Sequence, residues 1–233
     1  MNRTVVALSL VALVCMALPA MASPIAINNA GFEDNAPAST DAQFGNSLVG
    51  WTVGAGSAMY GGSGWYNPDS DRYVGETGAG AHNNVAWEKE WGDSSYIYQV
   101  LAETYVAGNV YTFSLDVGNA IGYEYSGTLG AGVGGQLALA DGTWDTTPLT
   151  VLATQVVVAP TPGEFARGSV SYTATAADAG KPIVVAFRKM QDPVWCEYVD
   201  FDNAALAMGA VPEPATMSLL ALGGLAALIR RRK

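Results

Sequence analysis

Between residues 110 and 117 apolar and polar side chains alternate. Tyr111, Phe113, Leu115 and Val117 fall on one face, and Thr112, Ser114 and Asp116 on the other. A period of two places one face against a core and the other toward solvent, so this stretch predicts a half-buried strand. Val170, Tyr172 and Ala174 alternate in the same way with Ser169, Ser171, Thr173 and Thr175. Residues 151–158 and 183–187 are nearly continuous apolar runs rich in β-branched residues, the pattern expected of central strands. Residues 96–101 predict another strand, and the Gly-rich stretch 133–139 a further one. Clusters of Gly, Asn, Asp and Pro separate these runs, and no amphipathic helical pattern interrupts them between Ser23 and Ala210. Many short strands at this spacing predict an all-β chain, a sandwich of the jelly-roll type.

The two ends follow a different pattern. Arg3 precedes an apolar run from Val5 to Leu18, broken by Ser9, and Pro19 then leads to Ala20-Met21-Ala22. A basic start, an apolar middle and small residues at the −3 and −1 positions predict a secretory signal over 1–22, cut after Ala22. Cys15 would leave with it, so the remaining cysteine, Cys196, would have no partner for an internal disulfide. At the other end Val211-Pro212-Glu213-Pro214 precedes an apolar stretch, 215–229, and the cluster Arg230-Arg231-Arg232-Lys233. A helix over 215–229 would rise only ~22 Å, short against the ~30 Å hydrocarbon core. The basic cluster would stay on the cytoplasmic side, leaving the preceding domain outside. The expected organisation is therefore a signal over 1–22, a β-sandwich over 23–210, and a terminal segment over 211–233 that meets the membrane through a short helix.

Three motifs resemble known families. Pro212, Glu213 and Pro214, the short apolar stretch, and Arg230, Arg231 and Arg232 together resemble the PEP-CTERM sorting signal of Gram-negative bacteria that make exopolysaccharide. The resemblance implies recognition by an exosortase-type processing enzyme and delivery to the surface or matrix. Asn29-Ala30-Gly31-Phe32-Glu33 followed by Gly50-Trp51 resembles the opening of galactose-binding-like carbohydrate-binding modules. Tyr198-Val199-Asp200-Phe201-Asp202-Asn203-Ala204-Ala205-Leu206 resembles their last strand. In those modules the Glu of the opening motif and the Asp of the closing strand share a structural calcium ion, which implies Glu33 and Asp202 here. Asp200, two residues away on the same strand face, is a candidate third ligand. Calcium takes six to eight oxygens, so carbonyls or water would complete the shell.

Charge narrows the partners. The chain has 11 Lys and Arg against 21 Asp and Glu. Arg3 and the terminal basic cluster lie outside the middle, leaving the domain more acidic than the net charge of −10 suggests. Such a surface repels phosphate backbones, which argues against nucleic acid. The region 59–91 interleaves Tyr60, Trp65, Tyr66, Tyr73, Trp87 and Trp91 with Gly, Asn and acidic residues. Sugar rings lay C–H faces on aromatic planes, so Trp65, Tyr66, Trp87 and Trp91 are candidate glycan contacts; core packing is the competing account. No nucleophilic triad surrounds the single histidine, His82, and no Cys/His metal cluster or phosphate loop is present. Glu88 with Glu90, or Asp200 with Asp202, would stand side by side ~7 Å apart, whereas glycosidase carboxylates flank a cleft. The expectation is a non-catalytic exported domain associating with polysaccharide or matrix. The alternatives are a structural or adhesive protein, an exopolysaccharide-acting enzyme, and an ice-binding protein, for which the Thr173–Thr175 pair is a short platform.

Overall fold

The computed structural model of the protein describes residues 22–34, 43–44, 48–54, 62–68, 72–73, 84–89, 96–121, 134–141, 150–158, 160–190 and 198–210. Outside them lie most of the expected signal, Cys15, Tyr60, His82, Glu90, Trp91, Trp144, Trp195, Cys196, the motif Pro212-Glu213-Pro214, the helix over 215–229, and Arg230, Arg231 and Arg232. Among the described residues every regular element is a strand, and no helix is long and apolar enough to cross a membrane. The chain divides into two units, and the sandwich is the larger, Pro24–Met208.

Among the described residues twelve strands follow one another: β1 (Ser23–Ile25), β2 (Gln43–Phe44), β3 (Thr52–Val53), β4 (Gly62–Tyr66), β5 (Val85–Lys89), β6 (Ile97–Thr104), β7 (Asn109–Asn119), β8 (Gly134–Asp141), β9 (Thr150–Val158), β10 (Glu164–Thr173), β11 (Pro182–Lys189) and β12 (Tyr198–Ala210). One sheet runs β10-β7-β12-β5-β4-β2, with β1 also on β12; the other runs β3-β6-β11-β8-β9. The first and last strands therefore meet, which brings the opening turn beside the closing strand.

The period-two alternation of β7 is realised directly. Tyr111, Phe113, Leu115 and Val117 point between the sheets, where they meet Val199 and Phe201 of β12 and Ile183, Val185 and Phe187 of β11. Trp51 is buried edge-on against Phe187 at 5.2 Å, and its Nε1 donates to the Asn29 carbonyl at 3.1 Å. The run 183–187 is a central strand, as its composition predicts, with neighbours on both sides. The run 151–158 is not. β9 closes the end of its sheet, and Val151 and Val158 are exposed. An uncharged β-branched run satisfies a half-covered edge as well as a covered centre, so composition alone misplaces it.

A candidate acid site on the outer face of the seven-stranded sheet

β12 carries two different faces. Val199 and Phe201 enter the core, so Tyr198, Asp200 and Asp202 project from the opposite side of the sheet. Register places Trp87 of β5 beside Asp200, and Gly64 of β4 beside Trp87; Tyr66 follows at the end of β4. On the far side of β12, β7 and β10 place Gly118 opposite Phe165, and Asp116 opposite Arg167. Tyr66, Val85, Trp87 and Tyr198 form a second apolar cluster, separate from the core, with Phe165 packed against it.

Asp200 lies inside this outer cluster, with 1% of its surface exposed. Its Oδ2 accepts the hydroxyl of Tyr66 at 2.5 Å and that of Tyr73 as well. Its Oδ1 is buried, with no hydrogen-bond partner among the described residues. Burial disfavours the charged form and pushes the Asp200 carboxyl up to about 6, although both hydroxyls and the Arg72 charge pull the other way. Tyr73 titrates well above the ordinary phenol range, first because it is buried and then because of the Asp200 charge. Tyr73 stacks on Phe165 at 4.3 Å, Trp87 meets Tyr198 edge-on at 5.1 Å, and the Arg72 guanidinium lies 5.5 Å from the Tyr66 ring centre. The result is a buried carboxyl held on one oxygen by two phenols, within a cluster of aromatic rings. Such a group can deliver a proton, and such walls can stabilise a cation.

Asp202 occupies the next outward position and faces other groups. Its Oδ1 accepts the Asn203 amide at 2.6 Å, and its Oδ2 is buried with no hydrogen-bond partner among the described residues. Burial, together with the Asp116 and Glu33 carboxylates, pushes it up to about 8. Glu33 is brought there by the opening turn, whose Ala30 carbonyl accepts the Ala204 amide at 2.9 Å. An orphaned carboxylate oxygen with a second carboxylate close by suits a hard cation, so Glu33 and Asp202 fit a structural calcium ion. No group of three His, Cys, Asp or Glu gathers among the described residues, so backbone and water oxygens would fill the remaining positions. Asp200 is turned toward the tyrosines. Alongside lies an open groove of about 490 Å³ lined by Ala30, Gly31, Asp116, Arg167, Asn203, Ala204 and Ala205.

The four aromatic residues singled out from sequence separate. Trp65 packs against the inner core, on the other side of the sheet from Tyr66. Tyr66 and Trp87 belong to the acid site but are buried, and Trp91 lies outside the described residues. Tyr73, Tyr198, Phe165 and Gly118 complete the site without having been singled out for it. The outward pair Tyr198 and Asp200, spaced by two on a strand whose other face is apolar, is the signal that could have found the centre.

The sequence profile of the HpiC1 cyclase family matches residues 23–207. The chain belongs to the HpiC1-like cyclase family. The solved structures that resemble this HpiC1-like chain in fold include two cyclases. A Stig cyclase from Fischerella sp. TAU, crystallised with (3Z)-3-(1-methyl-2-pyrrolidinylidene)-3H-indole, is 23% identical with a TM-score of 0.61; the match covers 82% of this chain and all of that one. An apo cyclase from Fischerella sp. is 24% identical with a TM-score of 0.62, over 82% of this chain and 98% of that one. No curated protein matches significantly. Membership in a cyclase family corrects the expectation of a non-catalytic domain: absence of a triad, metal cluster or carboxylate pair does not exclude a single buried acid. Residues 210–233 match the PEP-CTERM protein-sorting motif, so this HpiC1-like protein is an exported surface protein whose tail is of the kind an exosortase recognises.

Proposed function

We propose that the protein is an exported cyclase in which Asp200 is the general acid, acting on an indole that carries an unsaturated side chain. The observation that carries the reading is the Asp200 carboxyl, with Oδ2 fixed by Tyr66 and Tyr73 and Oδ1 buried without a partner among the described residues. Protonated Asp200 gives its proton to an alkene carbon of the side chain. The resulting carbocation is held against the aromatic faces and attacked by the electron-rich indole ring, forming a carbon–carbon bond. A proton leaves the ring and returns to the carboxylate, so the product is an isomer of the substrate and the acid is regenerated. Burial serves this chemistry because water would quench the cation. It also means that the site opens to admit substrate, as lids do in many enzymes. Support for an indole comes from the Fischerella cyclases, crystallised with (3Z)-3-(1-methyl-2-pyrrolidinylidene)-3H-indole and with 4-(1H-indol-3-yl)butan-2-one. A structural calcium ion on Glu33 and Asp202 would tie the opening turn to β12 and fix the strand that presents Asp200.

A panel of indoles with alkenyl side chains tests the reading. Wild-type protein should convert at least one to an isomer of unchanged mass and altered chromatographic retention. Asp200→Asn should lower that rate about 10²- to 10⁴-fold while still binding 4-(1H-indol-3-yl)butan-2-one in calorimetry. Undiminished turnover by Asp200→Asn would remove the acid from its role.

A second reading concerns the open groove. Unlike the buried aromatic cluster, it presents the exposed Arg167 guanidinium beside Asp116 and Asn203, groups able to hydrogen-bond sugar hydroxyls. Matrix polysaccharide could be held there while the acid site works. Binding on glycan arrays that disappears in Arg167→Ala supports this role, and an array with no binding removes it.

A further inference from the structure

Gly118 lies on β7 directly opposite Phe165 of β10, on the outward face. Its φ is not in the left-handed region, so the backbone there suits any residue. Space is what requires a glycine. A Cβ at 118 would stand 2.5 Å from Phe165 Cε1, 2.8 Å from Phe165 Cζ and 2.6 Å from the Tyr73 hydroxyl. These are the atoms that bring Tyr73 to Asp200: the Phe165 ring lies over Gly118, the Tyr73 ring stacks on Phe165, and the Tyr73 hydroxyl donates to Asp200 Oδ2. The turn holding Tyr73 is tied to the end of β7 separately, since the Arg72 carbonyl accepts the Ile121 amide at 2.9 Å. A side chain at 118 would therefore shift the rings while the turn stays in place.

We infer that Gly118 is a positioning residue for the acid. By leaving its Cβ space empty it lets Tyr73 reach Asp200, and the two-hydroxyl grip on Oδ2 keeps Oδ1 as the oxygen that meets substrate. The inference rests on Asp200 being the acid, and it extends that reading to a residue that touches neither substrate nor the carboxyl. Side-chain size at 118 then sets the turnover number rather than binding.

The test is a double-mutant cycle on the full chain with the alkenyl indole that wild type converts. Gly118→Ala and Tyr73→Phe should each lower kcat about tenfold to a hundredfold with KM little changed, the cost of misplacing a catalytic group. Because both act through one hydroxyl, the double variant should be no slower than the slower single variant. Multiplying effects, or a rise in KM with kcat intact, would overturn the inference. If Asp200→Asn retains turnover in the same assay, the acid assignment fails; if it is inactive while Gly118→Ala keeps wild-type kcat, only the positioning role fails. A second readout needs no substrate. In mildly acidic solution the carboxyl C=O stretch of Asp200, identified by its loss in Asp200→Asn, should move to higher frequency in Tyr73→Phe and equally in Gly118→Ala. An unmoved band in Gly118→Ala contradicts the inference. Should Gly118→Ala fail to fold, Gly118→Ala with Phe165→Ala leaves only the Tyr73 hydroxyl crowded. It must then show the same band shift relative to Phe165→Ala alone.

Discussion

On the outward face of the five-stranded sheet, Tyr96 and Tyr98 lie among Ala138, Ala140, Val184 and Ala186. On the outward face of the seven-stranded sheet, Tyr66, Trp87 and Tyr198 lie around Asp200. Both clusters are buried and aromatic, and both hold a polar side chain. In the first the polar groups complete one another: the Tyr96 hydroxyl donates to Gln136 Oε1 at 3.0 Å, Arg188 Nε donates to the same oxygen at 2.6 Å, and the guanidinium lies 4.5 Å from the Tyr96 ring centre. In the second the demand exceeds the supply, because Asp200 Oδ1 is buried without a donor among the described residues. Buried polar groups are ordinarily satisfied, so the orphaned oxygen on one face and the balanced network on the other set the two clusters apart. Aromatic content and burial alone do not make that distinction.

The largest test of this contrast uses pH. Asp200 titrates at about 6 in the folded protein against 3.8 when unperturbed. The native state therefore holds its proton more tightly than the unfolded chain. Stability is fully present below the unfolded value, falls as pH rises from about 4 to about 6, and levels off above that. At ~1.4 kcal/mol per pH unit the loss is about 3 kcal/mol. Asp200→Asn keeps an acceptor for the tyrosine hydroxyls and cannot ionise. Its melting temperature should exceed that of wild type above pH 6, and the difference should vanish below pH 4. A parallel pair of stability curves across that window would show that the carboxyl is not strained.

Next in size is the cation expected on Glu33 and Asp202. If calcium is present at 100 times its dissociation constant, it adds about 2.7 kcal/mol. Chelation should then lower the melting temperature of wild type and leave Asp202→Asn unmoved. A wild-type melt insensitive to chelator would divide the outer face into one functional carboxyl and one protonated neighbour.

The strands were legible because a sheet with one face in a core writes that face into the chain at every second residue, as β7 does. The pairing of the opening turn with the closing strand was legible only through the resemblance to carbohydrate-binding modules, which implies Glu33 and Asp202 as partners; what joins the two segments here is the Ala204 amide donating to the Ala30 carbonyl. The place of β9 was not legible, since an uncharged β-branched run does not reveal how many neighbours it has. The acid site was half legible. Tyr66, Trp87 and Asp200 were noticed separately, as glycan platform and metal ligand. Trp65 and Tyr66 were grouped although adjacent strand residues must face opposite ways. Tyr73 sits in a short turn with no periodicity to announce it, and Gly118 acts by having no side chain at all. A single buried acid would leave no spacing motif, so kinship with cyclases could not be read from the pattern, and the family match supplied it.

The smallest expected effect belongs to the five-stranded face. Tyr96→Phe removes one neutral hydrogen bond to Gln136 Oε1, while Arg188 continues to satisfy that acceptor. The cost should be about 1 kcal/mol, read as a modest fall in melting temperature, because no buried atom is left without a partner. No carboxyl ionises there, so the loss should be uniform between pH 4 and 7, in contrast to Asp200→Asn. Turnover of the alkenyl indole should equal that of wild type. A tenfold loss of kcat in Tyr96→Phe with unchanged melting would mean that this balanced network bears on the chemistry after all. The contrast between the two faces would then lie in their distance from substrate rather than in their polar satisfaction.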